Sequence, residues 1–89
     1  MSRDDLSEAA ALLEQAAEDA ADDAAEAIRT QAEHLRALVE RERGPDHGRL
    51  DRHQQALRDV KATVDEHVSE LIDDANARIT EYRKTLEGV

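Results

Sequence analysis

The chain has no cysteine, tryptophan or phenylalanine, and Tyr82 is its only tyrosine. Without cysteine it cannot form disulfides, iron–sulfur clusters or thiolate zinc sites. No run approaches the roughly 18 apolar residues of a membrane-spanning helix. The N-terminal MSRDDLSEAA lacks the apolar core of a secretory signal. We therefore expect a cytoplasmic protein without a membrane anchor.

Residues that break helices are equally scarce. Gly44, Pro45 and Gly48 stand close together, and the remaining glycine is Gly88 near the end. Between these points the chain is rich in alanine, leucine, glutamate and arginine, which favour helix. The sequence therefore predicts a helix over about 3–43, a loop over about 44–47 and a second helix over about 47–87.

Apolar residues recur in steps of three and four, which is the spacing of one helical face. Several series step by eleven, so the helices are expected to be nearly straight and roughly 60 Å long. We predict one all-α domain over residues 1–89, folded as an antiparallel two-helix hairpin. The candidate core residues are Leu6, Leu13, Ile28, Leu35, Val39, Leu57, Val64, Leu71, Ile79 and Tyr82.

Two helices alone form a thin core, which favours self-association. Residues 1–28 carry nine carboxylates and one arginine, whereas residues 29–58 carry seven arginines and five carboxylates. An antiparallel pair of hairpins brings the acidic end of one copy beside the basic end of the other. We therefore predict a homodimer that forms a four-helix bundle. The alternative is that the apolar stripes pack against another protein.

Basic residues cluster around the predicted loop. Arginine clusters bind phosphate and carboxylate groups in bidentate fashion, so this tip is a candidate site for an anion or an acidic partner. Capping of the first helix and pairing within each helix are the alternative explanation. The tip residues are Arg41, Arg43, His47, Arg49, Arg52 and His53.

The remaining titratable residues suggest weaker candidates. His34 and His53 can approach each other across the hairpin, but neither follows a glutamate in the Glu-x-x-His pattern of di-metal bundles. A second candidate is an acidic row that steps by four, which is either a cation-binding face or a solvated surface. One straight row cannot surround a calcium ion with six to eight oxygens. The row consists of Glu14, Glu18, Asp22 and Glu26.

The balance of charges is itself informative. Acidic side chains number 22 against 12 basic ones, and ten of the basic residues are arginine. With the start MSRDDLSEAA and the hinge RERGPDHGRL, the whole chain resembles the small acidic helical proteins of unknown function from halophilic archaea. The resemblance implies a protein that works in concentrated salt. It implies no particular activity, because such families have no assigned function.

The sequence contains no nucleophile–base pair and no glycine-rich phosphate loop, so we predict no enzyme activity, no metal and no cofactor. A net charge of −10 disfavours nucleic acid, because phosphate binding needs a cationic surface. The expected function is a helical interaction or scaffold module. The alternatives are a nucleic-acid-associated regulator that uses the Arg/His tip and a cation-binding bundle.

Overall fold

The structure, a computed structural model, describes residues 3–40 and 47–85, all of which belong to helices or short connections. The four helices are α1 (Arg3–Asp19), α2 (Asp22–Glu40), α3 (His47–Lys61) and α4 (Glu66–Arg83). No strand occurs in these two ranges. The all-α prediction is therefore confirmed for the described residues.

Each long helix predicted from the sequence is divided into two. The first is interrupted between Asp19 and Asp22, and the second between Lys61 and Glu66. The longest extent of the molecule is accordingly 37 Å rather than roughly 60 Å. The predicted helix end near residue 43, the loop up to residue 46 and the helix end near residue 87 lie outside the described residues.

The first interruption lies in a stretch with no large apolar residue, since only alanines occur between Leu13 and Ile28 as apolar side chains. Asp22 adopts a φ of 39°, a left-handed conformation that aspartate tolerates better than most residues. The amide of Ala25 donates to the carbonyl of Ala21 at 3.2 Å, which begins α2. Without a large side chain to hold it straight, the chain turns back here.

The second interruption has clear capping residues. Thr63 Oγ1 donates to the carbonyl of Val60 at 2.8 Å, which satisfies an acceptor at the end of α3. Asp65 is the N-cap of α4, where its Oδ1 accepts from the amide of Val68 at 2.9 Å. Glu66 follows in the first turn, where its charge suits the helix dipole. These local bonds stabilise a turn between α3 and α4.

The four helices form one bundle within a single chain. Helix α1 packs on α2 and α4, and α3 packs on the same two helices, so α1 and α3 are diagonal within the described ranges. The α1–α2 and α3–α4 connections meet at one end, where Asp19 Oδ2 lies 2.9 Å from His67 Nε2. Successive helices therefore run in alternating directions, as in an up-down-up-down bundle.

The core contains most of the residues that the apolar stripes indicated. Of the ten candidate core residues, three lie partly buried at its edge, namely Val39, Val64 and Leu71. Small residues dominate the buried face of α1, whose alanines permit close packing on both neighbours. The buried candidates are Leu6, Leu13, Ile28, Leu35, Leu57, Ile79 and Tyr82.

This arrangement changes the argument for a dimer. The sequence predicted self-association because two helices leave the apolar stripes with little to pack against. Here the stripes of all four helices face one another inside one chain. A dimer remains a prediction from the distribution of charge, and completion of the core no longer requires one.

Candidate anion-binding site

Helix α3 presents polar residues on two different sides. At about 100° per residue, Arg49, Arg52 and His53 lie on one side, and His47 and Gln54 on another. The first side faces α2, and the second side faces α4. Between them Leu50 and Leu57 are fully buried in the core. The predicted Arg/His tip is thus divided between two faces of one helix.

An open cleft of about 250 Å³ lies along the seam between α2 and α3. Leu38 of α2 is buried beneath it at 3% exposure, and Ala37 leaves space because its side chain is short. The cleft is polar on its α3 side and apolar at its base. Its lining residues are His34, Ala37, Leu38, Arg49, Arg52 and His53.

The two histidines of the cleft are neighbours. The ring centroids of His34 and His53 are 5.2 Å apart, with a tilt of 52° between the rings. His53 Nδ1 lies 2.7 Å from Gln31 Oε1. With the amide oxygen as acceptor, Nδ1 carries the hydrogen, and Nε2 of His53 remains to take up a second proton. Protonation of His53 therefore adds a donor without breaking the bond to Gln31.

The electrostatics of the cleft favour a negative ligand. Burial lowers the pKa of the half-buried His53, and the nearby His34, Arg49 and Arg52 lower it further. Arg52 has no salt-bridge partner among residues 3–40 and 47–85. An anion in the cleft would pair with Arg52, whereas a metal cation would be repelled by its guanidinium group.

The structure places the predicted tip residues in three locations. Arg49, Arg52 and His53 line the cleft. His47 faces α4, where its Nδ1 accepts from Arg83 Nε at 2.9 Å. The predicted tip residues Arg41 and Arg43 lie outside the described residues. Spacing from the loop predicted that His34 approaches His53, but no pattern in the sequence indicated Gln31 as a partner.

The opposite face of α3 is fixed by a buried polar network. Gln54 is 5% exposed, and its Nε2 donates to Thr80 Oγ1 at 3.0 Å and to the carbonyl of Asn76 at 3.2 Å. Its Oε1 accepts from Arg83 Nη1 at 2.8 Å. The same Nη1 lies 3.5 Å from Asp51. These bonds set the register of α3 on α4, and thereby fix which α3 residues face the cleft.

The acidic row is distributed over two helices. Glu14 and Glu18 belong to α1, whereas Asp22 and Glu26 belong to α2 beyond the turn, so the predicted single row on one helical face is wrong. Glu14 accepts from Arg36 through both carboxylate oxygens, at 3.1 and 2.9 Å. This hydrogen bonding lowers the pKa of Glu14. Within residues 3–40 and 47–85 no group of three His, Asp or Glu is arranged to hold a metal ion.

The described residues form a small all-α bundle in which each helix packs on two others, with an open cleft on the α2–α3 seam as the candidate site. None of the described helices is long and apolar enough to cross a membrane. The chain belongs to a family of unknown function, DUF7553, whose family model matches residues 1–85. Comparison with curated proteins and with solved structures gives no match.

Proposed function

We propose that this protein is a non-enzymatic interaction module that binds an anionic group of a partner in the α2–α3 cleft. The observation that carries the proposal is the convergence of Arg49, Arg52 and the His34–His53 pair on one cleft, in a chain of net charge −10. A local concentration of positive charge on an otherwise acidic molecule attracts a compact negative group.

The geometry of the cleft suits a group carried by a larger partner. The cleft is open, and the His34 side chain at its edge is exposed, so a group that protrudes from another protein can enter. Guanidinium groups bind carboxylates and phosphates through paired hydrogen bonds. A nucleic acid fits less well, because the carboxylates elsewhere on the molecule repel a long polyanion.

We propose another protein as the partner rather than a second copy, because one chain already buries the apolar stripes. Light scattering behind a sizing column, at several protein concentrations, distinguishes the two. A mass near 9.9 kDa supports a separate partner. A concentration-independent mass of twice that value supports the homodimer that the sequence predicts.

We also propose that the protein works in concentrated salt, as the excess of carboxylates and the preference for arginine suggest. Arg49 and Arg52 are exposed, so concentrated salt weakens their attraction for an anion, whereas it screens the partly buried His53 less. Binding measurements therefore belong in a series of KCl concentrations, beginning at low salt where the electrostatic contribution is largest.

The experiment that tests anion binding follows the histidine Hε1 resonances by NMR during a sulfate titration at low salt. We expect saturable shifts of His34 and His53 and none of His67, which lies on α4 beside Asp19. Arg52→Gln should weaken sulfate binding about tenfold, corresponding to about 1.4 kcal/mol. The matched control is Arg58→Gln on the same helix, whose side chain bonds to Gln55. Equal binding by both variants would contradict the proposal.

A further inference from the structure

We infer that the cleft selects a phosphomonoester, which Arg49 and Arg52 hold as a dianion and to which the His34–His53 pair adds a proton-dependent donor. This inference rests on the proposed anion-binding function and names its ligand class. It also makes binding in the cleft responsive to pH, because the donor that the pair contributes depends on protonation.

The two arginines occupy positions three apart on α3, so they lie on one side of the helix. Both line the same cleft of about 250 Å³, which is small enough to concentrate their charge on one group. Each guanidinium group has several N–H donors, and a phosphomonoester above its second pKa of about 6 offers three strong acceptor oxygens and close to two negative charges.

A phosphodiester offers a poorer match. It carries one negative charge, and a polymer of diesters is bound by cations spread along its length. Here two arginines and two histidines line one cleft, while α1 presents the exposed carboxylates of Glu14 and Glu18. The cleft therefore suits a terminal phosphate group better than the backbone of a polymer of phosphodiesters.

The His34–His53 pair makes binding at the site depend on pH. His53 is faced by His34 of α2 and by Arg49 and Arg52 of its own helix, and all of these disfavour its protonation in the empty cleft. Helix α4 packs on another face of α3, where its Arg83 meets Asp51. A bound dianion offsets the positive charge of the two arginines, so ligand and proton each favour the uptake of the other.

Four probes define the ligand class in the NMR titration at low salt and pH 7. They are a short glycine peptide with one phosphoserine, the same peptide with serine, inorganic phosphate, and dimethyl phosphate as the diester. We expect the phosphopeptide and inorganic phosphate to bind at least about tenfold more tightly than dimethyl phosphate, because they carry a second charge. Equal affinity for the diester would overturn the inference.

Comparison of the phosphopeptide with inorganic phosphate identifies the source of the group. Tighter binding of the phosphopeptide than of inorganic phosphate supports a phosphate carried by a partner protein. Equal binding supports recognition of a free phosphate compound. Binding of the unphosphorylated peptide as tightly as the phosphopeptide would overturn the assignment of phosphate as the recognised group.

A sulfate titration tests whether binding depends on protonation of the histidine pair, because the charge of sulfate stays constant near neutral pH. We expect sulfate to bind several-fold more tightly at pH 6 than at pH 8, and His53→Gln to remove most of this dependence. His34→Gln, at an exposed position, is a second variant that leaves the buried core intact. A pH-independent sulfate affinity would overturn the inference while leaving the proposed function intact. If no anion shifts His34 or His53, the proposed function itself fails.

Discussion

The Nη1 atom of Arg83 lies 2.8 Å from Oε1 of Gln54, and thereby joins α4 to a glutamine that is almost wholly buried on α3. Gln54 occupies the place of an apolar residue between Leu50 and Leu57. Because its amide donates to Thr80 and Asn76 as well, both of its polar ends are satisfied. A buried amide with these partners gives α3 one defined register on α4.

Replacement of Gln54 by alanine tests this role. We expect Gln54→Ala to lower the free energy of unfolding by about 2 kcal/mol, because it leaves a cavity and removes the partners of Arg83 and Thr80. Urea denaturation followed by circular dichroism measures the change. The neighbouring Gln55 is exposed, so Gln55→Ala should change stability by less than about 0.5 kcal/mol. Similar losses in both variants would show that burial of Gln54 is unimportant.

The N-cap of α4 gives a prediction about the second turn. Asp65→Ala removes the acceptor of the Val68 amide and should cost about 1 kcal/mol, which is typical of N-cap loss. Asp74→Ala, in the exposed middle of α4, is the matched control and should have little effect. Equal denaturation midpoints for Asp65→Ala and the unsubstituted protein would mean that packing alone fixes the turn.

The histidine in the cleft should make stability depend on pH. Because the folded state lowers the pKa of His53, the unfolded chain binds the proton more readily. This contribution to stability is complete above the pKa of the unfolded chain and is lost as the pH falls through the folded pKa. Between about pH 8 and pH 5.5, urea midpoints of the unsubstituted protein should therefore decline more than those of His53→Gln.

His67→Gln is the control for this pH series, since His67 lies on α4 and outside the cleft. Its midpoints should retain the part of the decline that His53→Gln loses. A further check is the addition of sulfate, which should reduce the decline by compensating the charge of protonated His53. If His53→Gln and the unsubstituted protein show the same pH profile, the surroundings of His53 do not disfavour its proton.

Salt should stabilise the fold, because 22 acidic side chains against 12 basic ones repel one another in dilute buffer. We expect a higher melting temperature in about 3 M KCl than in about 50 mM KCl, where the Debye length is several-fold longer. A double variant with Glu18→Gln and Glu26→Gln should show a smaller difference, since both positions are exposed. Equal melting temperatures at low and high salt would contradict the proposal of a protein adapted to concentrated salt.

The helices and the residues that pack between them follow largely from the sequence, whereas the turns do not. Apolar spacing continues through the first turn, where Ala17, Ala20 and Ala24 keep a helical step. Alanine buries too little surface for this pattern to require a straight helix. At the second turn, Asp65 and Glu66 are residues that favour the start of a helix. No glycine or proline marks a helix break there.

Part of the cleft could be predicted from the sequence. Arg49, Arg52 and His53 are close in sequence, and equal distance from the loop indicated that His34 approaches His53. Helical geometry already separates His47 from these residues, but its contact with Arg83 required knowledge of where α4 lies. That position depends on the second turn, which apolar periodicity alone does not predict.

The turn at Ala21 and Asp22 contains neither glycine nor proline, and Asp22 is the only non-glycine residue with a positive φ in the described ranges. Residue type therefore does not force the chain to reverse here; the packing of α1 on α2 and α4 does. If the helix continued through this point, α1 would swing away and its alanine-rich face would meet the same helices of another copy. Such domain exchange would preserve the helix contacts while changing the number of chains that make them.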